Sequence, residues 1–487
     1  MSTQKNVFYN ILFAVAQVFL PLITFPYLAR TLGPSYLGSL NFAESFARYF
    51  VLLAAVGIPV YGVRVIAKNH HDKIALSKTF WEIFIINFIM TMILALVFII
   101  CIFYVPKLAA DKGLFTWSLA FFFCQLFLFE WLFAGMNQFK FIALRYFFIR
   151  LLFIIAVFVF IKNNTDYHKY MSLQVGASIL VGLINLKYLY QYIHFDKAIF
   201  KNLNIKQHIK PLFILFLTLF SISIYLSLDT VLLGFLADNE SVGYYASVLK
   251  LNKIIIAVLA AISAAMFPKI TSLYQQGEIE KFTQMIQKGF YFILSIGIPT
   301  TLIVLSCAPQ IVLIVLGPGF DRSILPLQIT APLILIVSMS SIFGFQILNA
   351  LSKDKEILIS AIGGMVLSIL LTFILVRQFK ENGEAITILC TELVVCAFFV
   401  YYSAKHYNMK PLLPLIGEQL LAGIPYVFFI LFVKYFIEQP YLQLAIISVL
   451  SISWFFILHF ILLQYSIIKQ EFLLFFKKDK TKAPLPI

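Results

Sequence analysis

Charge is what this chain has least of. Only 12% of its 487 residues are charged, against 61% hydrophobic and 17% aromatic, and the mean hydropathy is +0.94. Soluble domains carry charge on about a quarter of their residues, so a water-soluble globular fold is excluded. Catalytic signatures are missing as well: there is no GxSxG, no HExxH and no glycine-rich phosphate loop followed by Lys and Ser or Thr. The longest connection between apolar runs, Lys187 to Lys210, is too short to house an extramembrane active site, so neither an enzyme nor a cofactor is expected. Cys101, Cys124, Cys307, Cys390 and Cys396 lie in or at the edges of apolar runs without CxxC spacing, which speaks against a metal site and a disulfide framework. Acidic residues are few, 22 against 37 basic ones, for a formal net charge of +15. In a soluble protein that excess would point to nucleic acid. Here basic loops beside a membrane explain it, and no nucleic-acid partner is expected.

What is present is apolar length. Fourteen runs, the first near 7–29, the second near 38–62 and the last near 441–466, are each long enough to cross a bilayer as a helix. The expected fold is an all-α polytopic membrane protein with 14 transmembrane helices and the lipid bilayer as its solvent. Ala14-Val15-Ala16 has the small-residue pattern of a signal-peptidase site, but the apolar run continues past Phe25, so it reads as an uncleaved first span. With an inner N-terminus, 24 Lys and Arg fall on inner segments, led by Arg64 to Lys78, Lys187 to Lys210 and Lys469 to Lys482, and nine fall on outer loops. That asymmetry places both termini in the cytoplasm.

The halves echo each other at an offset of 205 residues, which pairs Gly38 with Gly243, Arg48 with Lys253 and Arg64 with Lys269. Six spans separate the members of each pair, so the repeats share one orientation about an axis along the membrane normal. The domain reading is a first lobe over 1–195 (spans 1–6) and a second over 196–410 (spans 7–12). Residues 411–487 then supply two extra spans and a basic cytoplasmic tail.

Charges inside spans are costly unless paired or wet, and so mark function. Asn41, Glu44, Ser45 and Arg48 share one face of the second span, which lets Glu44 pair with Arg48 about 15 Å from the outer end. The eighth span carries Lys250 and Lys253 on an alanine-rich face, the seventh carries Asp229, the fifth Arg150 and the twelfth Glu392. One reading is structural, with internal salt bridges such as Glu44–Arg48 and Asp229 to a lysine of the eighth span. It does not absorb every charge: Arg48, Arg150, Lys250 and Lys253, with Arg30 at the outer mouth, outnumber Glu44, Asp229 and Glu392. The surplus points to a hydrated central cavity for an anion, with arginine suited to phosphate by its fork geometry. Glu82 and Glu130 read as interfacial acids. Pro21, Pro26, Gly57, Pro59, Gly297 and Pro299 are placed to bend helices.

Five segments in order resemble one family. PLITFPYLARTLGP (Pro21 to Pro34) with YLGSLNFAES, then GIPVYGVRVIAK (Gly57 to Lys68), FAGMNQFKFIALR (Phe133 to Arg145), DTVLLGFLADNESVGYYASVLKL (Asp229 to Leu251), and MFPKIT with LGPGF are similar to the Wzx-type polysaccharide repeat-unit flippases of the multidrug/oligosaccharidyl-lipid/polysaccharide (MOP) exporter superfamily. The resemblance implies two six-helix lobes in a V-shaped arrangement plus two extra C-terminal helices, opening alternately to either side of the bacterial cytoplasmic (inner) membrane. It implies a cargo, an undecaprenyl-pyrophosphate-linked oligosaccharide, carried from the inner to the outer leaflet, with glycan polymerase and glycosyltransferases as further partners. By the same resemblance Arg48, Arg150, Lys250 and Lys253 would form the cationic lumen, and Asp229 the acid of the seventh span. Coupling to H+ or Na+ stays open. Two alternatives stand beside it: an antiporter of drugs or organic cations on the same scaffold, which calls for surplus carboxylate, and a membrane glycan polymerase or ligase, which calls for a large outer loop.

Overall fold

In lipid, backbone N–H and C=O groups must be satisfied within the protein, which leaves helices or closed barrels. All regular secondary structure among the described residues is helical. The computed structural model describes residues 3–201 and 203–462, so the basic stretch Lys469 to Lys482 lies outside the described residues.

The chain divides into two compact units, 1–246 with 372–381, and 247–371 with 382–487. The first contains α1 (Thr3–Ala55), α2 (Ile58–Asn69), α3 (Lys73–Tyr104), α4 (Lys112–Gln125), α5 (Glu130–Gly135), α6 (Phe139–Phe160), α7 (Tyr167–Leu189) and α8 (Lys206–Leu236). The first turns of α9 (Asn239–Gln275) belong to it too, and the rest of α9 enters the second unit. That unit continues with α10 (Ile279–Ser306), α11 (Leu333–Ser340), most of α12 (Asp354–Ala404), α13 (Leu413–Phe436) and α14 (Pro440–Phe456).

Among the described residues ten helices are long and apolar enough to cross a membrane, or up to eleven when a bent pair counts as one span. This is fewer than the 14 expected, partly because neighbouring spans run on as one helix. α1 contains the 7–29 run and most of the 38–62 run, joined at Gly33 with φ 69°, and α12 passes through a non-helical Lys380 with φ 49° and ψ −124°. The other bends also have local causes. Val56 (φ 42°) and Gly57 (φ 82°) end α1, and α2 departs at 40°. Pro59, in the first turn of α2, suits a helix start because its missing N–H has no partner there. By contrast, α10 continues as one helix through Gly297 and Pro299.

Starts are set by caps. Asp72 accepts from the Ile74 amide at 2.8 Å to open α3, and Asp111 from the Leu114 amide at 3.1 Å to open α4. In the first unit Phe42, Phe46, Phe50, Phe98 and Phe122 form a buried aromatic column, with Phe50 and Phe98 centroids 4.7 Å apart. The outward face of α3 leaves Ile93, Leu96, Ile100 and Phe103 exposed, as a lipid-facing surface requires. The second unit packs Phe290, Ile293 and Leu294 of α10 against Ile342, Phe343 and Ile347. α13 and α14 meet it through Ile430, Val433 and Ile447 around Cys307.

One contact in the first unit repeats across the 205-residue offset. A Cβ on Gly38 would lie 1.7 Å from the Asn239 carbonyl oxygen, and one on Gly243 would lie 2.0 Å from the Pro34 carbonyl oxygen. Because Asn239 is the offset partner of Pro34, the contact is reciprocal, as a two-fold relation between repeats produces. Asn239 also donates to Ser39 Oγ at 2.8 Å, and Lys107 to the Ala237 carbonyl at 2.9 Å. Burial pushes the neighbouring Asp238 carboxyl up, but the Lys380 ammonium 2.7 Å away and Ser241 outweigh it and hold it at about 2. A methyl at Gly38 or Gly243 would meet backbone, which cannot rotate away. Gly38→Ala and Gly243→Ala should each destabilise by roughly 1–3 kcal/mol or more, read as a lower thermal midpoint of the purified protein. Gly176→Ala, whose Cβ meets nothing within 4 Å, should stay at the wild-type midpoint.

Candidate functional site

The site grows from two charged helix faces and one broken span, all in the first unit. The second half of α1 brings Glu44 and Arg48 to one side; α6 presents Arg145, Tyr146 and Arg150; α7 presents Gln174, Ser178 and Asn185; and the break between α4 and α5 supplies Gln125, Leu128 and Glu130. These elements surround a cavity of about 500 Å³ whose walls include Gln17, Arg48, Phe121, Gln125, Glu130, Tyr146, Arg150 and Gln174, with Glu44, Arg145 and Asn185 behind them. That is within the range of small-molecule sites.

Arg48 binds Glu44 through two nitrogens on one oxygen, Nη2 at 2.6 Å and Nε at 3.1 Å, and Gln174 Nε2 reaches the same oxygen at 3.3 Å. The pair expected from the i, i+4 spacing is therefore formed. The Arg48 side chain is nonetheless 62% exposed, and makes no other hydrogen bond among the described residues. It lies 5.9 Å from the Phe121 ring centre. Arg150 stands over the Phe153 ring at 4.8 Å and makes no ion pair among the described residues; its buried Nε has no hydrogen-bond partner. Two guanidinium groups thus share one cavity with donors to spare. Such a surface can take a multiply charged oxyanion by bidentate hydrogen bonds to pairs of its oxygens.

Glu130, expected as an interfacial acid from its position near a span end, has a partner and a place in the site. It lines the cavity and is held by Arg145 at 3.3 Å. The break explains why. Phe129 takes φ 48°, so the carbonyls of Phe127 and Leu128 lose helical partners, and the Asn185 amide donates to both. Arg145 in turn donates to Asn185 Oδ1, which fixes the guanidinium that fixes Glu130. Sequence reasoning missed this network because its members stand 15 and 40 residues apart. The one available signal was a second arginine, Arg145, on the helix that carries Arg150.

The remaining candidates sit elsewhere. Asp229 is buried, and its oxygens accept from Tyr245 OH at 2.7 Å, the Thr230 amide at 2.6 Å and Thr230 Oγ1 at 3.2 Å. The lysine expected to pair with it is replaced by these neutral donors. Lys250 and Lys253 are exposed on the part of α9 that belongs to the second unit, and neither is among the walls of this cavity. Glu392 is buried in α12 of the second unit, and Arg30 is exposed on α1. Glu82, also expected at an interface, is buried with His208: His208 Nε2 lies 2.8 Å from Glu82 and its Nδ1 2.7 Å from Tyr61 OH. In the second unit, α10, α13 and α14 line an apolar groove of about 410 Å³ containing Pro299, Tyr426, Ser451 and Phe455.

Comparison with known proteins bears on the family and the fold. Residues 3–274 match the family described as "Polysaccharide biosynthesis protein", and residues 215–374 match the MatE family. The chain is 28% identical to a protein named "Putative O-antigen transporter" in Escherichia coli (strain K12), over 82% of this chain and 97% of that one. A protein of the same name in Shigella dysenteriae is 23% identical over 82% of this chain and 99% of its own. Among solved structures, an inward-facing multidrug resistance MATE family transporter of the MOP superfamily aligns with a TM-score of 0.62 at 13% identity, over 82% of this chain and 97% of that one. The lipid II flippase MurJ in an inward closed conformation aligns at 0.54 and 15%, over 93% and 96%. These likenesses show the fold, and the ten or eleven candidate spans among the described residues make the chain a multi-pass membrane protein.

Removing Arg145 would leave the buried Asn185 Oδ1 without its donor and the half-exposed Glu130 without its cation, and an unsatisfied buried polar group costs about 1–3 kcal/mol. Arg145→Ala should therefore lower the thermal midpoint sharply. Glu130→Gln keeps an acceptor for Arg145 and should shift it little. Equal midpoints for the two variants would remove the network from the account.

Proposed function

The chain belongs to the polysaccharide biosynthesis protein family, and from that premise we propose that it is a flippase, not an enzyme, moving an undecaprenyl-pyrophosphate-linked oligosaccharide across the bacterial cytoplasmic membrane. The observation that carries this is one cavity holding both Arg48 and Arg150, each with unspent donors. Burying a pyrophosphate without fixed cations is prohibitive. Here the cations are already held, Arg48 by Glu44 and Arg150 by packing on Phe153. The likeness to proteins named as O-antigen transporters supports the cargo class.

Both termini would then be cytoplasmic, and the lobes that alternate would be 1–195 and 196–410, flanked by 411–487. Lys250, Lys253 and Arg30 would guide the anion along its path, with Glu392 as a counter-charge. Asp229, buried among hydroxyl donors, is the group we assign to coupling by H+ or Na+. Glycosyltransferases would supply the cargo and a polymerase would consume it. An exporter of organic cations on the same scaffold would face repulsion from two arginines in this cavity.

In a strain lacking the chromosomal copy, Arg48→Ala and Arg150→Ala should each cut surface polysaccharide about tenfold or more, the loss of one charge-assisted contact, at unchanged protein level. Arg150→Lys should restore part of it. Full surface polysaccharide in both alanine variants would contradict the anion site.

A further inference from the structure

Beside the cationic cavity lies a second pocket of different chemistry. It encloses about 300 Å³ and its walls are mainly apolar: Phe13, Ala55, Val63, Trp131, Ala134 and Ile142 are among them. Gln125, Leu128 and Glu130 belong to the walls of both spaces. A polar cavity with surplus arginine and an apolar pocket therefore share one partition, within one unit of the chain.

The pocket sits where two spans are broken. Ala55 and Ile58 flank the Val56–Gly57 break, and Leu128, Phe129 and Glu130 form the α4–α5 break. Both breaks place a bulky residue at positive φ, Val56 at 42° and Phe129 at 48°. A β-branched residue in that region is strained, and such strain persists only where the surroundings impose it. Straight helices would fill this space with their own side chains. The breaks keep it open, and Gly62, whose Cβ would lie 2.7 Å from Trp131, lets that ring form the wall.

Resting on the proposed function, we infer that this pocket binds the isoprene units of the lipid carrier that lie next to its pyrophosphate. A polyprenyl pyrophosphate changes from dianionic oxygens to hydrocarbon within a few bonds, and the partition at Leu128 and Glu130 makes the same change. The acid on that partition is neutralised by Arg145, so it does not repel the phosphates. The pocket takes only the start of the chain, and the rest stays in the bilayer. The site thereby reads the lipid as well as the charge: a soluble sugar pyrophosphate reaches the arginines without filling the pocket.

The test uses the full chain in nanodiscs of zwitterionic lipid, with inorganic pyrophosphate and farnesyl pyrophosphate as probes. Wild-type protein should bind farnesyl pyrophosphate about tenfold or more tightly than pyrophosphate, from burial of a few CH₂ groups. Ala134→Trp, which fills the pocket, should abolish that gain and leave pyrophosphate affinity unchanged. Ala55→Phe, on the opposite break, should do the same and carries the test if Ala134→Trp lowers the thermal midpoint. A gain that survives both substitutions overturns the inference, as does a gain lost on Ser451→Trp in the groove of the second unit and kept in the other two. Failure of wild-type protein to bind pyrophosphate at all overturns the anion site itself, and this inference with it.

Discussion

A half-buried guanidinium group in a membrane protein, with a buried and unpartnered Nε and no carboxylate, has to find water or an anion, and Arg150 is such a group. The architecture of the first unit follows from accommodating it. Five spans bring polar side chains to one cavity, where Arg48 enters already tied to Glu44 and apolar side chains such as Phe121, Leu128 and Phe153 complete the walls. A bundle that packed these helices for burial alone would have no place for either arginine. That the chain retains both, with donors uncommitted, is what makes a structural salt bridge an insufficient explanation.

The second constraint is backbone. Breaking a membrane helix exposes carbonyls that lipid cannot satisfy, so a break has to be supplied with side-chain donors. Asn185 serves the carbonyls of the α4–α5 break, Arg145 holds Asn185, and Glu130 closes the chain at the cavity wall. The polar network therefore both repairs the broken span and shapes the site. The same logic separates this unit from the second, where α10 passes its Gly297 and Pro299 unbroken and lines an apolar groove.

The helical class, the membrane location, the Glu44–Arg48 pair and the offset that relates Gly38 to Gly243 were legible from sequence, because each depends on spacing along one segment or on a repeated pattern. The span count was less so: Gly33 and Lys380 join spans into single long helices, which hydropathy alone does not show. The partners of Glu82 and Glu130 were not legible, since distance from a span end says nothing about what packs over a side chain. Asp229 was matched to a lysine by charge, but Tyr245 and Thr230 were nearer. The shared apolar wall could not be read at all, because Phe13, Ala55, Gln125 and Ala134 come together only through two bends.

The most direct measurement is an electron cryo-microscopy structure of the protein in nanodiscs with its lipid-linked oligosaccharide bound. The account predicts phosphate density within hydrogen-bond distance of both Arg48 and Arg150, with Glu44 still holding Arg48. Phosphate density resolved at another place, with these two arginines contacting only protein and water, would contradict it.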